Sequence, residues 1–182
     1  MAERERTLEE NLHRFVIRAR RDGYARDGTP VESSQIEGST QLEYRDGNFH
    51  YTDIYLTGEN NFAGQEIVYE SGEPKWTMVY YGALNWKGLR KLSESQQGTQ
   101  SSVPTQDQIY DFLKRILRQS AEFVRFSGMG TLSSSDGDWK YIDRCERDFD
   151  DSYGFFGRET IEYKGHRVYQ MHYHGGLLKG WD

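Results

Sequence analysis

Leu42-Glu43-Tyr44-Arg45-Asp46-Gly47-Asn48-Phe49-His50-Tyr51-Thr52-Asp53 is echoed ninety positions later by Leu132-Ser133-Ser134-Ser135-Asp136-Gly137-Asp138-Trp139-Lys140-Tyr141-Ile142-Asp143. The two stretches keep Leu, Asp-Gly, Tyr and Asp in register. Further along, Phe62, Gly64, Glu66, Gly72, Met78, Tyr80, Gly82 and Leu84 recur ninety-three positions later as Phe155, Gly157, Glu159, Gly165, Met171, Tyr173, Gly175 and Leu177. One three-residue loop insertion accounts for the change of offset. Self-similarity at a fixed offset marks a repeated structural unit, so the chain reads as an ancient duplication.

Each copy has the same local grammar. Asp46-Gly47 and Asp136-Gly137 are hairpin dipeptides, because both central residues of a type I′ turn need positive φ. Strands follow through Phe49–Tyr55 and Trp139–Cys145, through Phe62–Tyr69 and Phe155–Tyr163, and through Trp76–Tyr81 and Val168–His174, with turns at Gly72 and Gly165. A helix precedes each block. Thr7 with Glu10 and Thr105 with Gln108 are capping-box pairs. Leu8, Leu12, Phe15, Val16 and Ala19 form one stripe, which Gly23 ends. Ile109, Phe112, Leu113, Ile116, Leu117 and Val124 form the other. Residues 24–38 have no period and read as loop.

The expected fold is α+β. Each half has one helix followed by about four antiparallel strands, and the two curved sheets are related by a pseudo-twofold axis. Residues 1–93 form the first repeat, 94–106 a Ser/Gln/Thr-rich linker and 107–182 the second repeat, together one compact domain.

Composition narrows the function. Aromatics reach 14% against 35% apolar residues overall, and thirteen residues are Tyr. The core therefore depends on rings whose hydroxyls need partners. A net charge of −6 argues against direct nucleic-acid binding or attraction to an anionic membrane. No apolar run suits a bilayer span, and the N-terminus reads as charged helix, not a signal peptide. Cys145 is the sole cysteine, so no intrachain disulfide forms, and the expected setting is reducing and cytoplasmic. No cofactor is required by any motif, and homo-oligomerisation is left open.

Side chains alternate along a strand, so the repeated acids can be placed. Tyr51 and Asp53 share a face with Phe49, Glu66 with Phe62 and Val68, and Tyr80 with Trp76 and Met78. In the second half Tyr141 and Asp143 share a face with Trp139, Glu159 with Phe155 and Ile161, and Tyr173 with Tyr169 and Met171. Each half thus points one Asp and one Glu inward among rings. A buried carboxylate is costly without a partner. Glu66 and Glu159 either accept hydrogen bonds from Tyr hydroxyls and loop amides, or line an acidic aromatic pocket suited to an organic cation. Acid–base chemistry by the Asp–Glu pairs is a third reading, weakened because a catalytic pair need not occur twice.

Only the second half carries Met171-His172-Tyr173-His174-Gly175-Gly176. His172 and His174 share a face and could chelate a metal, with Glu162 the nearest acid of matching parity. Lys140, Arg144 and Arg158 fall on that same face, which reads either as an anion site or, more plainly, as a solvated outer surface. Cys145 has the buried parity.

Phe62-Ala63-Gly64-Gln65-Glu66-Ile67-Val68-Tyr69, Trp76-Thr77-Met78-Val79-Tyr80-Tyr81-Gly82, and Val168-Tyr169 leading to Tyr173-His174-Gly175-Gly176 together resemble an uncharacterised bacterial and archaeal domain. That domain occurs alone or C-terminal to an Xre-type helix-turn-helix in transcription regulators. The resemblance implies a sensory or partner-binding module and transfers no catalytic residue. The leading expectation is a non-enzymatic small-molecule-binding or sensory domain. Its aromatic, acidic pocket is built from Tyr51, Asp53, Glu66, Trp76, Tyr80, Tyr141, Asp143, Glu159, Tyr169 and Tyr173. The alternatives are a metal-assisted enzyme using His172 and His174, or a protein-interaction module.

Overall fold

A computed structural model describes residues 2–23, 30–32, 34–95, 103–119, 125, 130–147 and 154–178. The side chain of Leu8, Val124, loop residues 24–29 and 33, and linker residues 96–102 lie outside the described residues. Among the described residues there are three helices, α1 (Ala2–Asp22), α2 (Trp86–Ser95) and α3 (Gln106–Gln119). Eight strands accompany them: β1 (Thr40–Asp46), β2 (Phe49–Thr57), β3 (Asn61–Glu70), β4 (Glu73–Leu84), β5 (Gly130–Asp136), β6 (Trp139–Arg147), β7 (Gly154–Tyr163) and β8 (His166–Leu177).

The α+β class is as expected, but two features of the expected architecture change. The strands form one antiparallel sheet of order β1-β2-β3-β4-β8-β7-β6-β5, not two. The join runs from Trp76 opposite Leu177 to Leu84 opposite Tyr169, with Tyr80 facing Tyr173 at its middle. This pairing satisfies a row of backbone groups that two separate sheets would each leave at an edge. The second change is α2, where one helix per half was expected. Asn85 caps it, accepting from the Gly88 amide at 3.0 Å, and its buried Leu89 and Leu92 are too few to show a helical period. α1 also starts upstream of the Thr7 pair, whereas α3 has the reciprocal box: the Thr105 amide donates to Gln108 at 2.9 Å, and the Gln108 amide to Thr105 Oγ1 at 3.3 Å.

The turns also differ in type. The loop residues after β1 and β5 are Gly47-Asn48 and Gly137-Asp138, and only the glycines have positive φ, at 61° and 58°. That is the II′ pattern, with glycine first. The I′ pattern falls instead at Ser71-Gly72 and Lys164-Gly165, where all four residues have positive φ. Just before these turns, β3 shifts register at Val68/Tyr69 and β7 at Ile161/Glu162.

One face of the sheet carries the core. Phe15 of α1 stacks on Phe49 at 5.0 Å, and Phe112 of α3 stacks on Trp139 at 5.0 Å. Each helix is also tied to a hairpin turn, Arg18 to Asp46 at 2.8 Å and Arg115 to Asp136. The helices thus cover opposite ends of the sheet, and the inward acids lie between them. No helix among the described residues is long and apolar enough to cross a membrane.

Candidate functional site: a buried acid cluster and its cavity

The inward acids come in directly opposed pairs, Asp53 with Glu66 across β2 and β3, and Asp143 with Glu159 across β6 and β7. All four are 4% exposed or less. Isolated ionised carboxylates at this depth are strongly disfavoured, so their partners decide what the cluster does.

In the second half the partner is Arg125, which is fully buried. Its Nε donates to Asp143 at 2.7 Å, and its terminal nitrogen donates to Glu159. Its guanidinium carbon lies 4.4 Å from the centre of the Tyr173 ring. Tyr173 donates to Asp143 at 2.7 Å, and Tyr141 and Tyr169 donate to Glu159 at 2.7 and 2.8 Å. Burial alone would raise the Glu159 carboxyl. Arg125, Arg20 and the two tyrosine hydroxyls outweigh it and hold Glu159 below its ordinary value. This half is the hydrogen-bonded arrangement expected for a structural acid, with a cation added.

The first half is less complete. Tyr80 donates to Asp53 at 2.6 Å, as Tyr173 does to Asp143. Arg20, on the inner face of α1, approaches Glu66 Oε1 at 3.5 Å. Among the described residues, however, Asp53 has no ion pair, and Glu66 Oε2 is buried without a hydrogen-bond partner. The Tyr51 hydroxyl beside it also lacks one in good geometry. Burial, followed by repulsion from Glu66, pushes Asp53 up to about 7, against the pull of Tyr80 and Arg20.

A cavity of about 550 Å³ opens on this unfinished side. Asp53, Glu66 and Tyr80 reach it from β2, β3 and β4, and Glu159 and Tyr169 from β7 and β8. Residues 57–62, one face of α3, and Arg20, Tyr55 and Met171 form the rest of the wall. Phe62 stacks over Tyr169 at 6.0 Å, and Tyr110 of α3 meets both rings edge-on at 6.4 and 6.2 Å. Of the ten expected pocket residues, Asp53, Glu66, Tyr80, Glu159 and Tyr169 line the cavity. Tyr141, Asp143 and Tyr173 gather round Arg125 instead. Tyr51 lies beside Glu66, and Trp76 stacks on Phe155 at 6.1 Å.

Gly64 and Gly157 let the two tyrosines reach their acids. A Cβ on Gly64 would fall 2.4 Å from the Tyr80 hydroxyl and 2.7 Å from the Ile54 carbonyl, and one on Gly157 would fall 2.3 Å from the Tyr173 hydroxyl. Gly64→Ala should displace Tyr80 from Asp53 and cost about 1–3 kcal/mol, the usual range for overpacking. Thermal unfolding of the variant beside the parent measures this, and an unchanged melting temperature would refute the close approach.

His172 and His174 are exposed on the opposite face of the sheet. Among the described residues no three His, Cys, Asp or Glu side chains converge as metal ligands. On that face Arg144 stands opposite Arg158, and Arg158 opposite His172, while Glu162 stands opposite Lys140 and Arg167. Cys145 is buried, and burial pushes its thiol up to about 11, away from nucleophilic use.

The family model described as a domain of unknown function (DUF5680) matches residues 53–178. The chain belongs to this family. The match takes in all four acids and Arg125 of the DUF5680 domain, while Arg20 on α1 precedes it. No curated protein and no solved structure matches the chain.

Arg20 and Arg125 are the site residues that inspection of the sequence misses. Arg20 follows Val16 by four positions, so it continues the apolar stripe of α1. A charged residue on a buried stripe is the signal that marks it. Arg125 directly follows Val124, the last residue of the second expected stripe, and nothing local ties it to Asp143 or Glu159.

Proposed function

We propose that this protein binds a small organic cation in the cavity beside Asp53 and Glu66, as a ligand-binding or sensory domain. The observation behind this is the inequality of the two acid pairs. One pair is bridged by Arg125, whereas the other leaves Asp53 without an ion pair among the described residues and faces a roomy cavity. Six carboxylates line that cavity against Arg20 and Lys114, and Phe62, Tyr80, Tyr110 and Tyr169 supply ring faces. Acid and aromatic surface together favour an organic cation over an anion.

The sensory role draws on the resemblance to domains fused to Xre-type helix-turn-helix segments. A cytoplasmic setting and the absence of catalysis belong to the same proposal. So does an origin by duplication, with a pseudo-twofold axis passing between Tyr80 and Tyr173. Its support is that the register shifts, the I′ turns, the opposed Asp–Glu pairs and the Tyr–Asp bonds all recur at the offsets of the repeat.

Titration calorimetry with a panel of organic ammonium and guanidinium ions tests the site. Asp53→Asn and Glu66→Gln should each weaken binding at least tenfold while keeping the far-UV spectrum of the parent. Binding that both variants leave untouched would remove the proposal. A second reading, a protein-interaction module, has one observation in its favour: Leu56, Val79, Tyr81 and Phe156 are exposed on the outer face of the sheet.

A further inference from the structure

The chain already holds one cation in an Asp–Glu–Tyr setting. Arg125 bridges Asp143 and Glu159, two acids directly opposed on neighbouring strands, and its planar head lies over the ring of Tyr173. The same parts stand in the other half. Asp53 and Glu66 are directly opposed, Tyr80 donates to Asp53 as Tyr173 does to Asp143, and Gly64 admits Tyr80 as Gly157 admits Tyr173. No described side chain bridges Asp53 and Glu66. Arg20 approaches Glu66 Oε1 at 3.5 Å and makes no ion pair with Asp53 among the described residues.

We propose that the ligand carries a guanidinium or amidinium group, which bridges Asp53 and Glu66 and lies against Tyr80 in the way Arg125 is held between Asp143 and Glu159. This rests on reading the cavity as a cation site, and it names the chemical class that site takes. Three physical points favour the planar fork over an ammonium. A fork donates to two separated carboxylates at once, whereas an ammonium is a compact point charge. Guanidinium is more weakly hydrated, so burying it among rings costs less. It also stacks flat on an aromatic face. A quaternary ammonium fits least, because it has no N–H to offer Glu66 Oε2, which among the described residues is buried beside the Tyr51 hydroxyl with no hydrogen bond in good geometry.

The cavity also describes the rest of the molecule. At about 550 Å³ it is far larger than the cationic head alone. Phe62, Tyr110 and Tyr169 give an apolar or aromatic tail a surface to lie on. Glu59, Asp107 and Asp111 also line the cavity, and among the described residues Lys114 and Arg20 are its basic lining. A tail bearing a carboxylate is thereby disfavoured, so the site suits a decarboxylated or aryl guanidine better than a free amino acid.

The test uses a matched pair of probes, benzylguanidinium and benzylammonium, with tetramethylammonium as the third arm. Calorimetry on the full chain at pH 8 should show benzylguanidinium binding at least tenfold tighter than benzylammonium, and tetramethylammonium weakest. Asp53→Asn should remove most of that preference. Glu66→Gln serves as the second variant if Asp53→Asn fails to fold. Equal or tighter binding of benzylammonium, sensitive to the same substitutions, would overturn the guanidinium assignment and leave the cation site standing. No binding by any of the three probes would overturn both.

Discussion

Arg125→Met should destabilise the protein by about 3–5 kcal/mol, the range seen when one partner of a buried ion pair is removed. The size follows from burial. Arg125 is fully enclosed, and its removal takes away the cation bonded to Asp143 and Glu159, 2% and 1% exposed, leaving Glu159 the more distant charge of Arg20. The tyrosine hydroxyls that remain are donors but carry no charge. Urea unfolding at pH 7 measures the loss, and a change below about 1 kcal/mol would show that the guanidinium is not what stabilises the pair. A partial rescue should follow when Asp143→Asn and Glu159→Gln are added to Arg125→Met. An ion network exchanged whole for neutral groups avoids the uncompensated charge that a single removal leaves behind. Glu159 also has a pH signature. Its carboxyl is held below the ordinary value, so the stability it lends is present above the ordinary carboxylate range and is lost as the pH falls through its lowered value.

Asp53 should behave in the opposite sense. The unfolded chain titrates this group near 3.8 and the folded chain near 7. Folding therefore favours its protonated form. Its contribution is full below 3.8, declines as the pH rises towards 7, and beyond that the ionised carboxylate is a standing cost. At 1.36 kcal/mol per pH unit, the rise to about 7 is worth on the order of 4 kcal/mol at most. Asp53→Asn removes the titration and keeps an oxygen to accept from Tyr80. The variant should exceed the parent in stability at pH 8 by a few kcal/mol, and the two should converge near pH 4. Chemical denaturation at both values decides this, and a variant less stable than the parent at pH 8 would contradict the account. A gain in stability matched by a loss of ligand affinity would mark Asp53 as a group kept for binding at the expense of the fold.

Much of the framework can be seen in the sequence because it is local. The period-two alternation sets which side chains point inward, and so places Asp53, Glu66, Asp143 and Glu159 on the core face. The glycines locate the turns, although a dipeptide does not tell which of its neighbours lies at the tip. The Gly47 turn is therefore of type II′ where the dipeptide suggests I′. What the sequence conceals is long-range. Arg125 meets Glu159 across 34 positions, and no periodicity connects them. Alternation gives the direction of a carboxylate but not the identity of the cation that meets it, so the acids could be found without Arg20 and Arg125. The single sheet was hidden for the same reason. β4 and β8 each read as the last strand of its own block, and only their mutual pairing makes them neighbours.

That pairing sets an order of events in time. The partner of β4 is His166–Leu177, the last strand described, roughly ninety residues downstream. During synthesis at about 5–20 residues per second, β4 waits several seconds with one long side open. The cavity waits with it, because Tyr169, Met171 and Glu159 line it from the late half. A polypeptide stopped short of β8 holds Asp53 and Glu66 but lacks Tyr169 and Met171, so the proposed cation site is completed only when β8 pairs with β4.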